Sequence, residues 1–488
     1  MSTGTIGKST YSKQVASLIN RISDNTAVAD SLYEQASACF LQMAAQQGEK
    51  TELAQQVYLF ENRQQQVDKR DLALVERNLQ QAKGEQQSFV QARAEEAFVR
   101  FSALKKLCQD TLALCQGESE DETRVNSAKM LGTIQLLSPT EGKLVAASNQ
   151  KSKHLYKALL SLRLLDKLLA DGELNNPYVR QSLAAQAKAD SKDEYQPFRD
   201  DVQIPLIMAA LLQDIGTCHP DAQRILKGAQ GDKDEFRVLD NDERIALLQI
   251  SYRESLKYLN EGLGADRYNG NSKEERDNLV KRDTQRRAFI LMLLKNAIKP
   301  EHGIGNILKI PQIYTSVVLS TKSSFAYDTL PKVALVLEKG VEKGIYSKVA
   351  VDALISITGV FPQGFGVTYI PKDSDRQDLD RYEYAIVTGL YPADIRQPVC
   401  RMVTRNLTYN VSAMGCTVSV ENNLYYPPAR KKLERISEDR LLEILSKLVS
   451  NFEERKNMSL LPKCWHPDEY FSFVKNQNLW NKVVMHAN

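Results

Sequence analysis

Ala209-Ala210-Leu211-Leu212-Gln213-Asp214-Ile215-Gly216 is the stretch on which the reading of this chain turns. With Pro205-Leu206-Ile207-Met208 ahead of it, the run predicts a buried helix over residues 205–212 that stops at Gln213-Asp214. A histidine at position 213 would set an imidazole nitrogen beside the Asp214 carboxylate, and such an adjacent pair can bind one divalent metal centre. Gln213 changes that chemistry. A neutral amide cannot become anionic, and its carbonyl is a weaker donor than imidazole to a first-row transition metal. A metal at this corner would be short of one strong donor.

Helical patterning extends on both sides of this corner, from residue 127 to about 352. Upstream, residues 154–169 are amphipathic, with leucines recurring every three or four positions. A polar insert, residues 185–200, separates them from the corner helix. Downstream, helices are predicted over residues 241–259, 278–297, 307–319 and 329–343, with a charged stretch bearing Gly and Asn between Gly262 and Arg287. The pattern then changes. Residues 365–370, 383–389, 399–404, 407–413 and 416–420 are short, β-branched and aromatic, and predict a small antiparallel sheet. Residues 435–452 read as an amphipathic helix, and 465–480 as helical or irregular.

Residues 10–116 read almost entirely as helix. Val15, Leu18, Ile22, Asn25, Ala29, Leu32, Ala36, Cys39 and Met43 alternate by three and four, as on the seam of a coiled coil or an antiparallel hairpin. Gln46-Gln47-Gly48-Glu49 is read as a break, after which a second helix runs from about residue 52 towards Cys115. Its register drifts between Val67 and Phe89, and a seam returns at Phe98, Phe101, Cys108, Leu112 and Cys115. This region either packs on the rest of the chain or serves self-association or a partner. Residues 117–122 are acidic, bear Gly and Ser, and form a candidate linker. The expected fold is mainly α and α+β overall: a long-helix hairpin or coiled coil over 1–118, a helical bundle over 125–355, and a small C-terminal β subdomain with terminal helices over 356–488.

A net charge of +3 over 488 residues favours neither nucleic acid nor an anionic membrane as partner. No apolar run of about 18 residues predicts a membrane helix, and residues 1–13 lack the apolar centre of a secretory signal. The seven cysteines are scattered and never spaced as CxxC, so a reduced, cytoplasmic protein is expected. Cys464-Trp465-His466 has no second ligand pair nearby and is read as ordinary packing.

Four stretches follow one another in a suggestive order. They are His154-Leu155-Tyr156-Lys157-Ala158-Leu159-Leu160; the 209–216 corner with Pro220-Asp221-Ala222-Gln223-Arg224-Ile225-Leu226; Ile307-Leu308-Lys309-Ile310-Pro311-Gln312-Ile313-Tyr314-Thr315-Ser316; and Gly359-Val360-Phe361-Pro362-Gln363-Gly364 with Arg396-Gln397-Pro398-Val399-Cys400-Arg401. Together they resemble the HD-GYP family, bacterial phosphodiesterases of cyclic di-GMP within the HD superfamily, over about half the chain. The resemblance implies an HD-type helical bundle in residues 125–355 and residual metal positions at His154 and Asp214. In the family, histidines, aspartates and a glutamate hold two or three metals that activate water against a phosphodiester.

Carried over position by position, the family's central histidine is Gln213, and its lysine three residues beyond the aspartate is Thr217. The histidine due near Ile250 or Ser251 is missing, and the aspartate of the later helix falls near Gln312. No HHE or GYP sequence precedes that helix; Pro300-Glu301-His302-Gly303-Ile304-Gly305 stands there instead. Metal-assisted hydrolysis needs a metal that generates hydroxide and neutralises the phosphoryl oxygens, and two surviving ligands do not supply it. The resemblance therefore implies a catalytically inactive scaffold or effector in bacterial signalling, with no catalytic residue and no cofactor. Cyclic di-GMP is a candidate ligand, and a protein partner or second copy would engage the N-terminal helices. Two alternatives stand beside it: an active metal-dependent phosphodiesterase with His219 or His302 as substitute ligand, and a helical adaptor unrelated to nucleotides.

Bland readings accompany the single residues. His154 is read as a helix-end or surface histidine, Asp214 as a helix-end carboxylate within the core, and His219 and His302 as loop residues. Lys281-Arg282 with Arg286-Arg287 could dock a phosphate or form a solvated face. Gly262-Leu263-Gly264 and Gly303-Ile304-Gly305 are too short for phosphate-binding signatures. Tyr425-Tyr426-Pro427-Pro428 is either a contact surface or the exit from the sheet.

Overall fold

The computed structural model describes residues 5–190, 192–300, 303–405, 408–410, 414–435, 437, 439–440, 442–443, 446, 461–481 and 484–486. Its helices begin with α1 Thr10–Ile22, α2 Leu32–Gln66, α3 Leu72–Cys115, α4 Glu120–Leu137, α5 Val145–Ala170, α6 Pro177–Gln186 and α7 Ile204–Leu212. They continue with α8 Pro220–Lys227, α9 Asn241–Lys257, α10 Lys273–Asn296, α11 Asn306–Val318, α12 Val333–Glu342 and α13 Lys348–Thr358. Then come strands β1 Gly366–Tyr369, β2 Glu383–Val387, β3 Val399–Met402, β4 Thr404–Arg405, β5 Thr408–Tyr409 and β6 Met414–Thr417, helices α14 Pro427–Leu433 and Asp468–Ser472, and strand β7 Val484–His486. The chain is mainly helical with a small, largely antiparallel sheet late in the sequence, as its periodicities predict. Most of the expected helix over 435–452 and parts of the expected strand over 407–413 lie outside the described residues.

Two compact units emerge: Met1–Asn20, Gln109–Ala210 and Met292–Asn488 form the first, and Arg21–Cys108 with Leu211–Leu291 the second. These groupings run across the expected segment boundaries near 118 and 355.

In the second unit, α2 and α3 form an antiparallel hairpin. Leu72, Val75, Leu79, Ala82, Gln86 and Phe89 alternate by three and four as one buried or half-buried stripe, so the register expected to drift here runs straight. Lys83 pairs with Glu61 at 2.9 Å, and the Gln64 amide donates to Glu76 at 3.5 Å, which joins the two helices. This seam closes within one chain. The expected break at Gly48 is absent, and α2 passes through it; one glycine costs a helix about 1 kcal/mol relative to alanine, too little to end 35 residues of helix.

The break falls earlier. Val15, Leu18 and Ile22 are buried on α1 and Leu32, Ala36 and Cys39 on α2, but Asn25 and Ala29 lie in a turn between them. Ser31 and Glu34 build a reciprocal capping box: the Ser31 hydroxyl accepts the Glu34 N–H at 3.4 Å, and the Glu34 carboxylate accepts the Ser31 N–H at 3.1 Å. That box starts a new helix and interrupts the expected continuous seam.

In the first unit, α5 packs against α4, α11 and α13, and the rings of Tyr156 and Tyr314 stack at 6.4 Å. The sheet has the order β1-β2-β3-β6-β7, antiparallel except for the β6–β7 edge. Tyr384 and Ile386 of β2 enter one apolar cluster, while Ala385 and Val387 enter another. Burial on both faces explains why β2 shows no apolar–polar alternation. Trp465 stacks on Tyr384 at 4.7 Å, and its indole N–H donates to the Ala385 carbonyl at 2.9 Å, so Cys464-Trp465-His466 is packing. Tyr425 and Tyr426 set their edges against Phe361 at 5.3 and 5.9 Å and lead into α14, which makes them the exit from the sheet.

Candidate functional site: the Gln213-Asp214 corner

The corner belongs to the second unit and is built by backbone fit. Beyond α7 the chain makes a 3-10 turn, Ile215–Cys218. The Gly216 N–H donates to the Ser255 hydroxyl at 2.9 Å, and that hydroxyl donates to the Gln213 carbonyl at 3.3 Å. A Cβ on Gly216 would lie 2.1 Å from the Ser251 carbonyl oxygen and 2.8 Å from the Ser255 nitrogen. Only glycine lets α9 approach so closely. Thr217 turns its hydroxyl back to the Asp214 carbonyl, to which it donates at 2.7 Å. The Tyr33 hydroxyl donates to the Leu211 carbonyl at 3.2 Å; burial first, then the Asp214 carboxylate and Cys218, push that phenol well up.

His219 sits at the far side of the turn. Its Nδ1 accepts the Asp221 N–H at 3.2 Å and caps α8. The neutral ring therefore carries its proton on Nε2, which lies 3.9 Å from the Glu254 carboxylate. Glu254 is 4% exposed and accepts from Arg253 Nε at 2.6 Å. Phe40 sets its ring edge-on to His219 at 5.4 Å. His219→Ala is expected to lower stability by about 1 kcal/mol through loss of the cap, with His219→Asn restoring most of it; urea denaturation followed by circular dichroism measures both.

The structure sorts the positions singled out in the sequence into two groups. Gln213, Asp214, Thr217, His219 and Ser251 lie in the second unit, with Ser251 brought directly against Gly216. His154 and Gln312 lie in the first unit, on the packed pair α5 and α11. His154 is not at a helix end or on the surface: α5 starts at Val145, and His154 is 1% exposed. Buried Asn149 and Ser152 carry the helix upstream, a polar start that the leucine pattern does not reveal. His302 lies outside the described residues.

Arg286 and Arg287 depart from both readings of the basic cluster, whereas Lys281 is exposed, as on a solvated face. Arg287 donates to the carbonyls of Leu259, Leu263 and Gly264, the last at 2.7 Å, and so satisfies the end of α9 and the loop beyond it. Arg286 pairs with Asp283 at 3.0 Å and Asp266 at 3.3 Å. Gly264 is a packing residue: its N–H donates to the Ala97 carbonyl at 2.9 Å, and a Cβ there would meet the Phe98 nitrogen at 2.8 Å. Gly305 likewise lies against the Asn296 carbonyl, 2.1 Å from where a Cβ would stand.

The donor set at the corner does not fit the metals that the family resemblance implies. Gln213 offers an amide, and neither Ile250 nor Ser251 an imidazole, where the resemblance calls for histidines, and His219 has committed one ring nitrogen to a cap. Among the described residues, no three His, Cys, Asp or Glu side chains come together in a group able to hold a metal ion. No family model, curated protein or solved structure matches the chain. Among the described residues no helix is long and apolar enough to cross a membrane.

Proposed function

We propose that this chain is a catalytically silent, HD-GYP-like signalling protein that works in the cytoplasm as a scaffold or effector. The observation that carries this reading is the corner itself. A helix ends in Gln213-Asp214, and its turn is fastened to α9 by Ser255, beside Ser251. The fastening is hydroxyl and backbone chemistry, which supports a frame kept for shape rather than for gripping metal. The hairpin of α2 and α3 supports a docking role: Leu41, Tyr58, Leu59 and Leu74 are each at least 60% exposed, outside the seam that closes the hairpin.

Titration calorimetry with cyclic di-GMP, with light-scattering mass on the same sample, tests the proposal. Saturable heat with the nucleotide recovered intact supports the effector form. No heat from a self-associated chain supports the scaffold form. Conversion of the nucleotide to a linear product contradicts both.

A further inference from the structure

The sheet of the first unit brings two thiols face to face. Cys400 on β3 lies directly opposite Cys416 on β6. Two residues away on each strand, the Val418 N–H donates to the Pro398 carbonyl at 3.0 Å. The alternation of an antiparallel ladder then makes Cys400 and Cys416 a hydrogen-bonded pair as well, with Cα atoms about 5.5 Å apart. Disulfides span Cα separations of roughly 4.4–6.8 Å. Directly opposed residues project to the same face with Cβ atoms about 4.5–5.5 Å apart. A disulfide needs them about 3.5–4.5 Å apart, so it draws the two strands together by roughly 1 Å. Both cysteines enter the apolar cluster that holds Val367 and Val387. Neither is more than 1% exposed, and both thiols are free. Cys464 enters the same cluster, but its strand neighbour is Val367.

We infer that Cys400 and Cys416 form a disulfide-competent pair, a modification site at which a small-molecule disulfide oxidant staples β3 to β6. One protein thiol loses its proton, and its thiolate attacks a sulfur of oxidised glutathione, expelling one glutathione thiolate and leaving a mixed disulfide. The second protein thiol loses its proton, attacks the protein sulfur of that mixed disulfide and expels the second glutathione. The two protein thiols together give up two electrons, and one glutathione disulfide becomes two thiols. Burial pushes both protein thiols up, Cys416 to about 12, so thiolate is scarce while the sheet is closed. Pairing therefore belongs to folding or to local opening of β3 from β6.

The test refolds the full chain from urea in a buffer of reduced and oxidised glutathione, alkylates it, and maps its peptides by mass spectrometry without reduction. The expected product joins the Cys400 peptide to the Cys416 peptide and shows a higher urea midpoint than the reduced protein. The link is lost in Cys416→Ser, where Cys400 carries glutathione or the alkylating group. In wild-type protein that has regained its helical circular dichroism, either absence of this link or predominance of a link to Cys464 overturns the inference.

Discussion

Gly216→Ala lowers stability by at least about 3 kcal/mol, the upper end of what overpacking usually costs, and is expected to move the second unit's urea midpoint further than any other substitution at the corner. The new methyl would stand 2.1 Å from the Ser251 carbonyl oxygen, and the next atoms in its path are also backbone. No side chain can rotate away. Relief requires α9 to shift, which breaks the Gly216–Ser255 and Ser255–Gln213 hydrogen bonds. Gly48→Ala is the matched control, because a Cβ there meets nothing within 4 Å. That change stabilises by roughly 0.5–1 kcal/mol through helix propensity. Opposite signs from one chemical change locate the constraint at the corner; equal, small effects would mean that α9 does not press on Gly216.

Trp465→Ala is expected to cost about 3–5 kcal/mol in the first unit, the usual range for removing a buried tryptophan. Trp465 is 2% exposed, stacks on Tyr384 and supplies the N–H that satisfies the Ala385 carbonyl. Substitution leaves a cavity and a buried acceptor without its donor. Trp480 remains as the fluorescent reporter, so the loss is read as a shifted denaturation midpoint. The packing account also requires that a chelator leave the wild-type midpoint unchanged. A midpoint that a chelator lowers in the wild type but not in Cys464→Ser would make Cys464 a metal ligand instead.

Much of the helical frame was legible because apolar spacing is a local property. The segments predicted over 205–212, 241–259, 278–297 and 307–319 reappear as α7, α9, α10 and α11 within a few residues. The strands were legible for the same reason, through β-branched and aromatic runs cut by turns. What escaped depended on partners distant in sequence. Arg287 reads as a phosphate-binding or solvated cation until the chain returns the carbonyls of Leu259 to Gly264 to it. His154 reads as a helix end until the polar run Ser148 to Lys153 proves helical and the neighbouring helices bury it. The Ser31–Glu34 capping box was present in the sequence, but an unbroken three-four alternation obscured it. At the corner, Gln213-Asp214 announced itself, whereas the Ser255 hydroxyl that holds it comes from 42 residues further on.

We propose that this corner resembles a metallohydrolase in outline without the donors to run one. Metal analysis of the purified chain, paired with a cyclic di-GMP hydrolysis assay in added manganese or iron, tests it most directly. The account predicts substoichiometric metal and intact nucleotide, with Asp214→Ala indistinguishable from wild type. Stoichiometric metal with turnover that Asp214→Ala abolishes would contradict it.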